Sequence, residues 1–287
     1  MQNTILFFDS NSEVSYDFAD KNNLNILNMP YAINGKECHY DLGRNMDFKA
    51  FYADIRKGVI PTTSALNEYD FTAAFEPHLK AGKDVVYIGF SNNLSLTFES
   101  ALKAKTTLKQ MYPNQNVIAI DSKTISGGLA IIVEAVTQIL KDEKITQEDF
   151  LKKVDVLIQK SRALVTVDDL HHLKRGGRIS GAAAVLGSLL NIKPLIHVTE
   201  EGRIEKYSKA KGRKNAMAML LDKACESGID LTMPIYMIDA DADDAALFEA
   251  LFFKRFGDAP LFRRQFIGPV IGTHCGPGAL SLCYFIK

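Results

Sequence analysis

Short apolar runs alternate along the chain with longer segments in which apolar residues recur every three or four positions. The strand-like runs are Ile5 to Phe8, Asn25 to Met29, Val85 to Ile88, Val117 to Ile120 and Ala163 to Val167. Helical periodicity fills the intervals at Ser15 to Lys21, Phe48 to Lys57, Tyr69 to Ala81, Ser95 to Tyr112 and Gly128 to Leu140. Such alternation predicts a mostly parallel sheet flanked by helices. Thr146, with Asp149 three residues on and Phe150 and Leu151 next, predicts a cap opening a connecting helix to about Lys160. Beyond it the rhythm changes. Leu195 to Val198, Arg203 to Ser208, Pro234 to Ile238, Phe262 to Ile267 and Leu282 to Ile286 are separated by only two long helical patterns, Arg213 to Ser227 and Asp241 to Phe256. That ratio predicts an α+β unit with a mostly antiparallel sheet. The reading is two α/β domains, residues 1–160 and 161–287, with no Pro/Ser/Gly-rich linker between them.

Composition narrows the function classes. Across 287 residues, 34 basic side chains balance 34 acidic ones, so no global excess of cations favours nucleic acid or a membrane surface as the main partner. No stretch approaches the ~18 consecutive apolar residues of a spanning helix, and the N-terminal run lacks a basic leader and a cleavage site. These features predict a soluble cytoplasmic protein without stable membrane insertion. Cys38, Cys225, Cys275 and Cys283 are scattered, with no CxxC pair and no grouping with the histidines that would resemble a zinc site, which predicts free thiols and no metal site.

Four polar segments fall at predicted strand ends or turns, where open α/β sheets bind ligands. In Pro61-Thr62-Thr63-Ser64, three hydroxyls precede a helix, as either helix caps or an anion site. Ser91-Asn92-Asn93-Leu94-Ser95-Leu96-Thr97 follows a strand and enters a helix, without the glycines of a nucleotide-binding loop. Lys174-Arg175-Gly176-Gly177-Arg178-Ile179-Ser180-Gly181 is either a solvated turn or a patch for a phosphate or an acidic partner. Residues 268–278 hold four glycines and two prolines around Thr273, His274 and Cys275, a density that fixes one backbone path. His274 reads as a hydrogen-bonded structural residue or as a functional one, and its neighbour Cys275 points to the opposite face of an extended chain.

In this order, across nearly the whole chain, these segments resemble the DegV family, the FakB-type bacterial fatty-acid-binding proteins. The resemblance rests on Asp9-Ser10, the PTTS at 61–64, Leu94-Ser95, Asp121-Ser122 with Gly127-Gly128, Asp168-Asp169-Leu170 through Ser180, Leu189 to Pro194, and GTHCGPG at 272–278. It implies a long-chain fatty acid in a tunnel between two domains, no other cofactor and no catalysis by this chain. A separate fatty-acid kinase would phosphorylate the presented carboxyl group, and the acyl-phosphate would pass to phospholipid synthesis. The implied carboxylate ligands are Thr62, Ser95 and His274, with Thr63, Ser91, Asn92 and Thr273 as additional head-group residues. Lys174, Arg175, Arg178, Lys211 and Arg213 are the candidate docking cations.

Hydroxyls and an imidazole could hold a carboxylate without a permanent cation, since bonds to a charged group contribute ~1.5–3 kcal/mol each. Three departures from the family pattern stand out. Leu96 replaces the usual glycine after the binding serine, Ala65-Leu66 replaces Gln-Pro, and Lys211 replaces an arginine. The rival reading is a hydrolase of lipid or acyl esters using Ser95 and His274, and against it no GxSxG elbow is present.

Overall fold

The computed structural model describes residues 1, 3–168, 170–179 and 191–287. Asp169, Ser180, Gly181, Leu189 and Leu190, named in the motifs above, lie outside the described residues. In chain order the elements are β1 (Thr4–Asp9), α1 (Tyr16–Lys21), β2 (Asn25–Leu27), β3 (Met29–Ile33), β4 (Lys36–Tyr40), α2 (Phe48–Arg56), β5 (Thr62–Thr63), α3 (Glu68–Lys80), β6 (Asp84–Gly89), α4 (Thr97–Met111), β7 (Val117–Asp121) and α5 (Gly127–Ile139). They continue with α6 (Gln147–Lys160), β8 (Ser161–Thr166), α7 (His171–Arg175), β9 (Ile192–Val198), β10 (Ile204–Lys211), α8 (Arg213–Glu226), β11 (Ile235–Asp239), α9 (Ala245–Phe256), β12 (Phe262–Phe266), α10 (Pro269–Cys275) and β13 (Leu280–Phe285).

The first half carries a parallel sheet in the order β2-β1-β6-β7. Its central strands are buried on both faces, which is why Leu6 to Phe8 and Val85 to Ile88 read as unbroken apolar runs. The second half carries the sheet β10-β9-β8-β13-β11-β12, antiparallel at every pairing except β11 with β12. That exception follows from α9, which crosses over between the two strands. The α/β architecture with a parallel N-terminal and a mostly antiparallel C-terminal sheet is thus the one expected. Thr146 caps α6 as predicted, its hydroxyl accepting the Asp149 N–H at 3.1 Å.

Two features differ from the expectation. The run read at Ala163 to Val167 with the parallel series is β8, a central strand of the antiparallel sheet. Residues 29–63, where only a helix and the end of one strand were expected, also build a small antiparallel sheet, β4-β3-β5. One apolar core extends from the parallel sheet to β8, β9, β11 and β13, and a second lies under α8 and α9. Helix α5, buried almost all round its circumference, packs on β8, β11 and β13 of the second sheet.

Candidate functional site

A cavity of about 210 Å³ lies between the halves, walled by Met29, Phe90 and Ile125 from the first and by Val165, Ile196, Ile204 and Val270 from the second. Its polar side chains include Thr63, Ser95, Arg178 and His274. Each is delivered by a different local device. The two residues of β5 pair with β3, Tyr31 opposite Thr63 and Ala32 opposite Thr62. Successive strand residues face opposite sides, so Thr63 lines the cavity while Thr62 is exposed and outside its wall. Of the two threonines in the motif it is thus Thr63, and not Thr62, that the cavity wall includes.

His274 sits in the last turn of α10, a short helix where the glycine density had suggested a turn. Pro269 occupies the first turn of α10, where its missing N–H costs nothing, and Gly276 ends it at φ 75°. The His274 Nε2 and Thr63 Oγ1 are 2.9 Å apart, and Nδ1 is buried with no hydrogen-bond partner. An unsatisfied lone pair costs less than an unsatisfied N–H, which places the proton on Nε2, donating to Thr63. The Thr63 hydroxyl proton is then free for a ligand oxygen. Burial, followed by the charges of Arg178 and Arg175, pushes the imidazole down to about 4, so it is neutral at physiological pH.

Ser95 lies in the turn between β6 and α4. Its Oγ accepts the Thr97 N–H at 3.2 Å and meets the Thr97 hydroxyl at 3.0 Å. With Thr97 as donor in both, Ser95 keeps its own proton for the cavity. Leu96, in place of the family glycine, has φ −76° and ψ 0°, a conformation open to any residue. It is 73% exposed and lines the cavity, so it stands at the mouth.

Arg178 ties these parts together. Its Nε donates to the Leu94 carbonyl at 3.2 Å, beside Ser95, and its Nη1 donates to the Gly176 carbonyl. A Cβ at Gly176 would run into Nδ1 of His274, so the glycine gives the ring its place. A site without a permanent cation was expected. Instead Arg178, read from sequence as a docking residue, faces the cavity and projects its charge onto His274.

The other candidates are placed apart. Ser91 is buried and donates to the Gly202 carbonyl at 2.8 Å, linking the β6 turn to the hairpin between β9 and β10. The Asn92 N–H donates to Asp121 Oδ1 at 3.4 Å, and Thr273 donates to the Pro269 carbonyl at 2.7 Å inside α10; neither residue lines the cavity. Arg213 is held by Asp244 at 2.9 Å and the Gly278 carbonyl at 2.6 Å. Lys174, Arg175 and Lys211 are exposed, with Arg175 2.9 Å from Nδ1 of His172. The hydrogen bonds of Ser95 go to Thr97 and that of His274 to Thr63, so the nucleophile–base contact of a hydrolase is not formed.

Sequence reading missed Glu13. It is buried, with Oε1 accepting the Gly268 N–H at 2.6 Å and Oε2 bonded to the Ser126 hydroxyl. Burial pushes its carboxyl up to about 8. The signal was faint: a lone acid four residues after Asp9.

The model of the DegV family, described as uncharacterised proteins, matches residues 4–287. A DegV domain-containing protein of Clostridium perfringens is 34% identical over 99% of this chain and 98% of its own. A DegV family protein from Thermus thermophilus, described by its fatty-acid binding, aligns with TM-score 0.86 at 27% identity, covering 99% of this chain and 100% of the other. DegV of Bacillus subtilis, described as a fatty-acid-binding protein, aligns with TM-score 0.82 at 28% identity over 99% of both chains. Sequence and fold agree, and the chain belongs to the DegV family.

Proposed function

We propose that this protein holds a long-chain fatty acid in the cavity and presents its carboxyl group to a separate cytoplasmic fatty-acid kinase, then carries the acyl-phosphate towards phospholipid synthesis. The observation that carries this reading is a largely apolar cavity that Thr63, Ser95, Arg178 and His274 all line, with Thr63 bonded to His274 and Arg178 bonded to the Leu94 carbonyl beside Ser95. The tail supplies most of the affinity, at ~0.8 kcal/mol per buried CH₂. The head supplies orientation. A neutral imidazole and two hydroxyls can rearrange their protons around a carboxylate or its phosphorylated product, and Arg178 offsets charge in both. The Thermus and Bacillus relatives support the ligand class. The kinase step rests on the family resemblance, with Lys174, Arg175 and Lys211 as the docking cations.

Mass spectrometry of lipid extracted from the purified protein tests the first part, and ATP-dependent acyl-phosphate formation on adding a fatty-acid kinase tests the second. One long-chain acid per chain is expected, with turnover only when kinase is present. An empty protein, or ester hydrolysis that depends on Ser95, would overturn the reading.

A further inference from the structure

We propose that Asn11 and Ser126 form a second polar station in the cavity wall, one that recognises a hydroxyl group carried on the acyl chain. The inference rests on the fatty-acid reading and deepens it by naming a ligand class. Both residues line the cavity, and the Ser126 N–H donates to the Asn11 carbonyl at 3.0 Å, so they are neighbours. Asn11 is 2% exposed, and its Oδ1 has no hydrogen-bond partner. A buried amide oxygen left unpaired is costly, and Asn11 is one of the residues that line this largely apolar cavity. Ser126 is held at φ 60°, a conformation a residue with a side chain adopts only when its surroundings impose it.

Glu13 completes the station from behind. Its Oε1 is occupied by the Gly268 N–H, and its Oε2 is bonded to Ser126 Oγ. A negative charge on Glu13 would act on Tyr40, Tyr52, Cys275 and Cys283, all neutral phenols and thiols, and no cation is among the groups that act on it. In this setting Glu13 is a carboxylic acid at neutral pH, consistent with burial raising it to about 8. The acid proton then bonds Ser126 Oγ, and the Ser126 O–H is left for the cavity. Asn11 offers an acceptor and Ser126 a donor. A hydroxyl uses both; a ketone or an ether oxygen, which only accepts, leaves Asn11 unpaired.

The test compares stearic acid with monohydroxystearic acids that differ only in hydroxyl position, by displacement of a fluorescent fatty acid. All the hydroxy acids share one desolvation cost, so differences among them report the wall. One position, or two adjacent ones, is expected to bind about fivefold tighter than the rest, the worth of one ordinary hydrogen bond. Asn11→Leu and Ser126→Ala are each expected to shrink that spread below about twofold. Equal binding of all positions in the wild type would overturn the proposal, as would a spread that survives both substitutions. Failure of stearic acid itself to bind would instead overturn the fatty-acid reading.

Discussion

Thr62 and Thr63 are chemically identical neighbours on opposite faces of β5, and replacing each by valine separates their roles. Thr63→Val removes the hydroxyl between His274 and the cavity and is expected to weaken fatty-acid binding about tenfold, the worth of one bond to a charged group. Thr62→Val should change binding less than about twofold, both read by calorimetric titration. The motif marked the place in the sequence, but which threonine faces the ligand depends on β3, and that pairing was not legible. Glu13 gives a second prediction. Its folded carboxyl holds a proton up to about 8 whereas an unfolded one releases it near 4.5, so the folded state binds more protons between these values. Stability therefore falls as pH rises through that window and levels off above it. Glu13→Gln keeps an acceptor for Gly268 and a donor for Ser126 without ionising. Urea unfolding at pH 6 and pH 9 should show the wild type losing on the order of 2 kcal/mol more than the variant across that interval.

At the scale of elements, α10 and the turn after α7 act as one unit, since the imidazole packs against Gly176. Gly176→Ala keeps an ordinary backbone conformation, with φ −75°, yet drives a methyl into the ring. Fatty-acid affinity is expected to drop at least about fivefold, with a melting temperature lowered by only a few degrees. Equal affinity in the variant would show that the ring position does not depend on this contact. The elements themselves were unevenly legible. Strands β1, β6 and β7 and most long helices were plain from periodicity, because each buries a continuous stripe or run. The hairpin of β3 and β4 was missed although Asn34-Gly35 at its turn, with φ 52° and 74°, is the strongest short hairpin signal. Its strands Tyr31 to Tyr40 are half exposed and mixed in polarity, so no apolar alternation announced them. The sheet membership of β8 was beyond local pattern altogether, since strand partners 29 to 124 residues away decide it.

For the whole molecule, the cations sort by what already holds them. Arg213 and Arg178 are engaged inside the protein, whereas Lys211 is exposed at the end of β10. Lys211→Glu is expected to raise the apparent KM for this protein in a kinase assay several-fold at low salt and less at high salt, with lipid content unchanged. A defect that salt does not alter would argue against electrostatic docking. The same scale decides how a ligand leaves. The wall of the cavity is divided between the parallel and the antiparallel halves, which are also strapped together by Tyr52 donating to the Ile267 carbonyl at 2.6 Å and by Arg56 on Asp241. A bound chain would then be a mortar between two courses of masonry, and if it leaves by their parting rather than through the mouth at Leu96, its residence time is set by how often they part. Transfer to acceptor vesicles should then be first order, with a rate indifferent to vesicle concentration, so that a docked partner, rather than the membrane, becomes the clock for unloading.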